Sequence, residues 1–543
     1  MFKDEKILVG KNKKTSAYIL PSMANRHGLI TGASGSGKTV TMKVLAESFS
    51  DAGVPVFLAD VKGDVGGTCL PGTTNEKLQG RIDSLGLTDD FKFKGYPVVF
   101  WDVYAKGGHP VRTSIKSVGP TILSKMLGLS EAQEGVLAIA FKVAEDQDLE
   151  LIDLKDLRLV LQYIGDNAKD FTITYGNVAQ QSVGAIQRSI LMLQQQGGDN
   201  FFGEPEIDIN DFIKQASDGR GNINILHCVE LYQQPDLYSS FLLWLLTSLS
   251  QKLPEVGDLA KPKIVFFFDE AHLLFDDMPS YLKKQVTQVV KLIRSKGIGL
   301  YFISQQPTDV PDDILAQLGN RVQHTLRAYT PQEQKVVKAA AMAFRTNPEF
   351  DTEKAILELG TGEALVSFTT EKGEPSVVEK VTILPPQSDM NAIDDGTRLM
   401  VMARSEFKGK YDTLVDRESA YEKISAAIKE REEELEELRA QQEEEKKKLQ
   451  EEKEAEKAKK EEEKRLKEEE RAAEKAKREE EKARKEEERL KKEEERKKAQ
   501  EEKEAEKAKK NNPVYKLGKK ATNKAVNKVL DKGLNKLFKG LFK

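Results

Sequence analysis

The sequence predicts an α/β fold: a mostly parallel sheet built around a glycine-rich loop, interrupted by a helical insertion and followed by a long charged helix and a basic amphipathic one. Three observations carry this. The stretch ITGASGSGKTV from Ile30 continues into helix-spaced VTMKVLAESFSDAG and then apolar VPVFLAD, ending at Asp60; strand, loop, helix and strand in that order make the βαβ unit of a parallel sheet. The later runs NINILHCVEL, KIVFFFDE and GIGLYFISQQ are apolar without alternation, as strands covered on both faces are. Finally, 61 of the 80 residues from 431 to 510 are charged, a density that no packed core accommodates.

Taken in order, residues 1–114 form the first part of the core, with short strands over 5–31 leading to the loop. Residues 115–220 read as the helical insertion, from stretches such as SEAQEGVLAIAFKVAED and LKDLRLVLQYIGDNA. Residues 221–410 return to strands, each with a helical neighbour, and GEALVSF with SVVEKVTILPP closes the body near Pro386. In residues 421–510 the decapeptide EEKEAEKAKK occurs at 451–460 and again at 501–510. Its apolar positions are mostly Ala, too sparse for a sustained coiled-coil seam, while Glu and Lys or Arg recur four residues apart and support a helix at ~0.2–0.5 kcal/mol per pair. The expected object is a solvated single helix of ~120 Å at ~1.5 Å per residue; a coiled coil and a disordered segment are the alternatives. In residues 511–543, Lys516, Lys520, Lys524, Lys528, Lys532 and Lys536 recur every fourth residue, and Val526, Leu530, Leu534, Leu537 and Leu541 gather on another face. Such a basic amphipathic helix suits an anionic membrane surface, a nucleic-acid backbone, a protein partner or the chain's own acidic body.

The formal net charge is −4, with residues 1–430 at −9, 431–510 at −3 and 511–543 at +8. An acidic body argues against a uniformly basic nucleic-acid surface, although a basic channel fits inside an acidic total. Cys69 and Cys228 have no CxxC spacing and the five histidines no ligand spacing, which suggests a reduced compartment and no zinc site. The opening MFKDEKILVG lacks an apolar leader, and FLLWLL and IVFFF are far shorter than the ~20 residues of a spanning helix. A cytoplasmic protein is expected.

Gly32, Ala33, Ser34, Gly35, Ser36, Gly37, Lys38 and Thr39 satisfy GxxxxGK[ST] between a strand and a helix, the context the phosphate-binding loop requires. Its glycines let successive backbone N–H groups face phosphates at a helix N-terminus. Lys38 then reaches the β- and γ-phosphates, and the Thr39 hydroxyl ligates Mg²⁺. Hydrolysis further needs carboxylates at the end of a later strand, and KIVFFFDE supplies them: Asp269 for the Mg²⁺ shell and Glu270 to deprotonate the attacking water. The plain alternative is a helix cap at a strand end. No [NT]KxD guanine motif occurs, so ATP is expected over GTP. In GLYFISQQP, Gln305 is a candidate γ-phosphate sensor, unless it and Gln306 are turn residues. Arg294 and Arg321 are candidates for a cation presented to a neighbouring subunit's phosphate, and Asp60, Lys62 and Asp64 read either as site residues or as a polar turn.

The segments RHGLITGASGSGKTVT, DVKGD, FFFDEAHLLF, IRSKGIG and QLGNRVQHTLRA together resemble the HerA–FtsK superfamily of P-loop ATPases, and most closely its bacterial HerA-like group, over about residues 1–410. The resemblance implies a RecA-like core in a hexameric ring that binds ATP and Mg²⁺ between subunits and moves along double-stranded DNA. It implies Lys38 and Thr39 as the Walker A pair, Asp269 and Glu270 as the Walker B pair, Gln305 as sensor, and Arg294, or else Arg321, as trans-acting finger. Archaeal HerA proteins carry an N-terminal β-barrel that docks a nuclease; only about thirty residues precede this loop, so a nuclease partner is not expected. Related cores also drive transfer and secretion at membranes, so a membrane-associated motor and an ATP-dependent assembly switch stand beside the leading reading of a DNA translocase.

Overall fold

Runs rich in Val, Ile, Leu and Phe form strands here because β-branched and aromatic side chains suit a pleated surface packed on both sides. The computed structural model describes residues 1–257, 259–275 and 280–489, and among these thirteen strands join in one sheet. In chain order they are β1 (Phe2–Lys3), β2 (Lys6–Lys11), β3 (Ser16–Ile19), β4 (Gly28–Thr31), β5 (Val56–Asp60), β6 (Val98–Asp102), β7 (His109–Pro110), β8 (Ile223–His227), β9 (Ile264–Phe268), β10 (Ile298–Ser304), β11 (Asn320–Gln323), β12 (Glu363–Ser367) and β13 (Glu379–Ile383).

The path β11-β4-β10-β9-β5-β8-β6-β7 is parallel throughout. Beyond β11 the sheet continues antiparallel through β12, β13, β2 and β1, with β3 hydrogen-bonded to β2. The opening strands and the closing β-rich stretch, far apart in sequence, therefore meet, with Thr382 opposite Lys11.

Both faces of the parallel part are covered, which is why its strands show no alternation. On one face lies helix α1 (Lys38–Asp51), where the Phe49 ring sits 6.3 Å from Phe267 and 5.9 Å from Tyr301. On the other face Phe57 stacks near Phe266 and Phe212, and Phe268 near Phe302. The helix Pro235–Lys252 begins with Pro at its first turn and is apolar nearly all round, the pattern of a buried helix. Its Phe241 and Trp244 enclose Phe201, at 5.6 and 5.2 Å. Between β7 and β8 run Ile115–Met126, Glu131–Asp146, Leu154–Asp166, Ala168–Tyr175, Gln180–Gln195 and Gly198–Phe201, packed mainly on one another and on Pro235–Lys252. Among the described residues no helix is long and apolar enough to cross a membrane.

The chain divides into two units, 1–424 and 425–543. The long helix Ala420–Arg489 starts in the first, where the buried Asp156 carboxylate accepts from Ser419 Oγ and Tyr421 N and Glu422 accepts from Ser419 N at 2.9 Å, one of the two bonds of a capping box. Within the second unit the helix carries its own support: Glu444–Lys448, Glu456–Lys460 and Glu463–Lys467 pair four residues apart at 2.7, 2.6 and 2.8 Å. The remainder of the charged segment, from 490, and the basic amphipathic stretch 511–543 lie outside the described residues.

Phe267 is 0 % exposed between α1 and β10, and its truncation leaves a void that neighbouring strands cannot close. Phe267→Ala should cost ~3–5 kcal/mol, read as a lower urea midpoint for the first unit by tryptophan fluorescence from Trp101 and Trp244.

Candidate active site

The strands that run parallel deliver their C-terminal ends to one edge of the sheet, and each end contributes a group there. At the end of β4 the chain turns through Gly32, Gly35 and Gly37, all at positive φ, into α1. Gly32 is fixed by contact as well as by conformation: a Cβ there would fall 2.5 Å from the His324 Cβ and 2.8 Å from Ser36 Oγ. The loop is tied down by Ala33 N donating to Thr325 O at 2.8 Å and Gly362 N to Ser36 O at 3.0 Å. Ser34 and Gly35 remain exposed, and the first N–H groups of α1 have no intrahelical acceptor. Lys38 is buried and folds back so that Nζ donates to Gly32 O at 2.7 Å and Ala33 O at 3.3 Å; burial lowers its pKa, and the Glu270 charge works against that shift. Thr39, half-buried, occupies the second position of α1.

Beneath the loop, His324 joins two elements. Its Nδ1 meets the Glu363 carbonyl at 2.9 Å and its Nε2 the Thr41 hydroxyl at 2.8 Å. A carbonyl only accepts, so Nδ1 carries the proton and Nε2 accepts from Thr41. Burial pushes the imidazole down to about 4, and the ring stays neutral.

At the end of β9, Asp269 and Glu270 are both buried. Asp269 Oδ1 accepts from Glu270 N at 2.9 Å, and burial raises its carboxyl to about 6, opposed by the Lys62 charge. Glu270 has φ 49°, a left-handed conformation that costs a non-glycine residue ~1–2 kcal/mol and recurs at functional sites. Its Oε1 takes a 2.5 Å ion pair from Lys62 Nζ, and although burial pushes the other way, that contact holds Glu270 below the usual carboxylate range. Lys62 stands just beyond β5, in a turn tied by Asp60, whose Oδ1 accepts from Gly63 N at 2.7 Å. Of the three residues weighed there, Asp60 shapes the turn and Lys62 reaches the acid pair.

The two glutamines after β10 also separate. Gln306 caps the short turn Pro307–Asp309, its N–H donating to Asp309 Oδ2 at 3.0 Å. Gln305 is exposed, and because Ser304 is in register with Thr31, Gln305 leaves the sheet beside Gly32.

Arg294 and Arg321 lie at the opposite edge, Arg294 just before β10 and Arg321 level with Leu29 near the start of β4. There a cavity of about 340 Å³ is lined by Arg26, Lys291, Arg294 and Arg321, with no carboxylate among its lining residues. Arg321 is committed to the carbonyls of Leu318, Leu315 and Ala343, at 3.1, 3.1 and 3.4 Å. The Arg294 side chain makes no hydrogen bond or ion pair among the described residues, and the residue is half-buried.

Buried polar atoms ordinarily find partners, yet Ser36 Oγ, Glu270 Oε2 and His272 Nδ1 are buried without a hydrogen bond. Among the described residues no three His, Cys, Asp or Glu side chains cluster as a metal cage. The Thr39 hydroxyl at the head of α1 and the Asp269 carboxylate, whose hydrogen bond is to Glu270 N, suit a cation that takes its other oxygens from phosphate and water, as Mg²⁺ does, and the loop amides with Lys38 suit the phosphates.

Loop, acid pair and parallel sheet together define the RecA-like P-loop ATPase class. The chain belongs to the helicase HerA-like C-terminal family, whose family model matches residues 5–487. It is similar to the DNA double-strand break repair helicase HerA of Saccharolobus solfataricus, 21 % identical over 66 % of this chain and 64 % of that protein. The counterpart of the same name in Sulfolobus acidocaldarius is 20 % identical over 66 % of this chain and 65 % of its own. The chain thus spans just under two thirds of the length of these two relatives. Among solved structures, VirB4 of Thermoanaerobacter pseudethanolicus aligns with a TM-score of 0.42 at 15 % identity, covering 70 % of this chain and 97 % of that one.

Two groups were not evident in the sequence. His324 sits in NRVQHTLRA without any spacing that marks it, and the Lys62 to Glu270 pair joins residues 208 positions apart.

A histidine lowered from 6.5 to about 4 by folding contributes stability that is fully present above pH 6.5 and lost as pH falls towards 4, because the unfolded chain takes the proton first. Comparing urea unfolding of the intact protein with His324→Gln at pH 7 and pH 4.5 should show the wild-type advantage shrinking by roughly 2–3 kcal/mol.

Proposed function

We propose that this protein is an Mg²⁺-dependent ATPase that drives movement along double-stranded DNA as a homo-oligomeric, hexameric ring. The observation that carries hydrolysis is the acid pair at the end of β9, buried on the edge that holds the Lys38 loop, with Glu270 strained and its Oε2 free of hydrogen bonds, 3.4 Å from His272 Nδ1. In this reading the amides of the Gly32–Gly37 loop and Lys38 hold the β- and γ-phosphates, while Thr39 and Asp269 hold Mg²⁺. When bound, the ion would neutralise charge developing on the phosphate oxygens. Glu270 takes the proton of the attacking water as its oxygen bonds to the γ-phosphorus and the bond to the β-phosphate oxygen breaks. In the same reading Gln305, which leaves the sheet beside the loop, senses the γ-phosphate.

The opposite edge supports an oligomer. Arg294 and Arg321 stand at the amino ends of β10 and β11, whose carboxyl ends lie on the edge that bears the loop, so in this reading neither serves the phosphates of its own chain. Arg294 is the better finger, since Arg321 already serves three carbonyls. Duplex DNA as the track rests on the family and on the similarity to DNA double-strand break repair helicases. A cytoplasmic setting is part of this reading.

The test is the steady-state ATPase rate of the intact chain at two salt concentrations, with and without duplex DNA. Lys38→Ala and Glu270→Gln should each lower turnover by at least a hundredfold, the latter with ATP still bound. DNA stimulation that fades with salt is expected of a motor gripping phosphates; an unchanged rate at both salts would remove DNA from the reading. Mixing Arg294→Ala with Lys38→Ala subunits should restore part of the activity, and a mixture as inactive as its components would exclude Arg294 as a finger in trans.

A further inference from the structure

The reading above leaves Lys62 without a task, although it is the cation that touches the proposed general base. Its side chain is 48 % exposed while that of Glu270 is 10 % exposed. One flexible, half-solvated ammonium therefore reaches in from the end of β5 to a carboxylate fixed by the strand turn. The Glu270 backbone cannot follow if the lysine leaves, because Glu270 N is held by Asp269 Oδ1 and Ala271 N by Ile303 O at 2.8 Å. The lysine can leave, because its only hydrogen-bond partner among the described residues is Glu270 Oε1. Lys62 is also close enough to Lys38 for the two positive charges to be felt together. Two lysines and the Glu270 carboxylate thus share one small volume at the mouth of the loop.

A triphosphate brings concentrated negative charge into that volume. A carboxylate offers Lys62 one charge, whereas a terminal phosphate offers more charge and three acceptor oxygens. A diphosphate lacks that terminal group.

Resting on the assignment of Glu270 as general base, we propose that Lys62 is a second phosphate-binding lysine with two alternative partners, Glu270 in this structure and the γ-phosphate of a bound nucleoside triphosphate. Triphosphate binding then does two things at once. It fills the lysine's charge requirement, and it frees Glu270 Oε1 to accept a proton from water. A base masked by an ammonium is a poor acceptor, so the exchange ties the readiness of Glu270 to the presence of the group to be cleaved. Lys62 is a positioning residue in this scheme, and no bond is made or broken at it.

The experiment measures affinity rather than turnover. Full-length wild type, Lys62→Met, Lys62→Arg, Glu270→Gln and the double variant are titrated, in Mg²⁺, with a fluorescent non-hydrolysable ATP analogue and with fluorescent ADP. Lys62→Met should weaken the triphosphate analogue at least tenfold while ADP affinity stays within about twofold, which also shows that the variant is folded. Lys62→Arg should retain triphosphate binding. Glu270→Gln should tighten the analogue severalfold, because the competing carboxylate is gone, and that gain should vanish in the double variant. Equal weakening of ADP and analogue by Lys62→Met, no weakening of either, or a Glu270→Gln gain that survives without Lys62 would each overturn the proposal. Failure of the underlying assignment shows differently. Normal ATP turnover by Glu270→Gln would remove it as base, and undiminished binding of both nucleotides by Lys38→Ala would remove the nucleotide site itself.

Discussion

The parallel register of β11, β4, β10, β9 and β5 is the constraint on which the site depends. Parallel strands send all their carboxyl ends the same way, so the loop after β4, Gln305 after β10, the acid pair after β9, Lys62 after β5 and His324 after β11 come to one edge without any of them being near in sequence. The same constraint sends Arg26, Arg294 and Arg321 to the other edge. Reversing one strand would move its group across the thickness of the sheet. Burial maintains the register: every residue of β5, β9 and β10 is buried, and a one-residue slip would carry the Phe267 and Tyr301 rings away from α1.

Much of this architecture was legible in the sequence because the signals were local. An unalternated apolar run states that both faces are covered, and the GxxxxGK[ST] spacing states where a strand must hand over to a helix. The segments FFFDEAHLLF and QLGNRVQHTLRA resembled the family that the family model identifies. What could not be read was pairing at a distance. Nothing in MFKDEKILVG announces that β2 lies against β13, since a hydrogen-bond ladder between antiparallel strands leaves no mark beyond their propensity. Within the site the same divide holds. The turn residues Asp60, Lys62 and Asp64 carried equal weight as letters; only the fold shows the Asp60 carboxylate turned inward to Gly63 N and the Lys62 stem turned across to Glu270.

The charged helix follows a different logic from the sheet. Burial holds the strands, whereas Glu and Lys four residues apart hold the described part of the helix, with Leu449 and Leu466 more than half exposed. Each exposed pair is worth only ~0.3–0.5 kcal/mol, so length substitutes for packing and the helix stands on the sum of many weak contacts. Its start is treated otherwise: Asp156, wholly buried, accepts from Ser419 and Tyr421. A buried carboxylate receiving an N-terminal N–H is far stronger than any surface pair, which sets where the helix begins even though its composition is almost uniform.

The remaining asymmetry lies in what the fold leaves unfinished. Many buried polar groups of the first unit are closed on themselves, though His109 Nε2, Gln147 Oε1 and His227 Nδ1 are not: Glu47 accepts from Gln387 N and Ser388 N at 2.7 and 3.1 Å, and His27 spends both ring nitrogens on Val290 O and Leu300 N at 3.0 Å each. At the loop and acid pair such gaps sit together, with Ser36 Oγ without a hydrogen bond, Glu270 Oε2 facing only His272 Nδ1 at 3.4 Å and Glu270 in a left-handed conformation. A chain selected for stability alone would relieve both costs, since a glycine at 270 removes the strain and an apolar side chain at 36 removes the orphan hydroxyl. Keeping them is intelligible where a partner arrives from outside the chain, as phosphates at the loop would. The energetic cost and the chemistry therefore sit at one place, and the rigid register around it is what allows the fold to carry that cost.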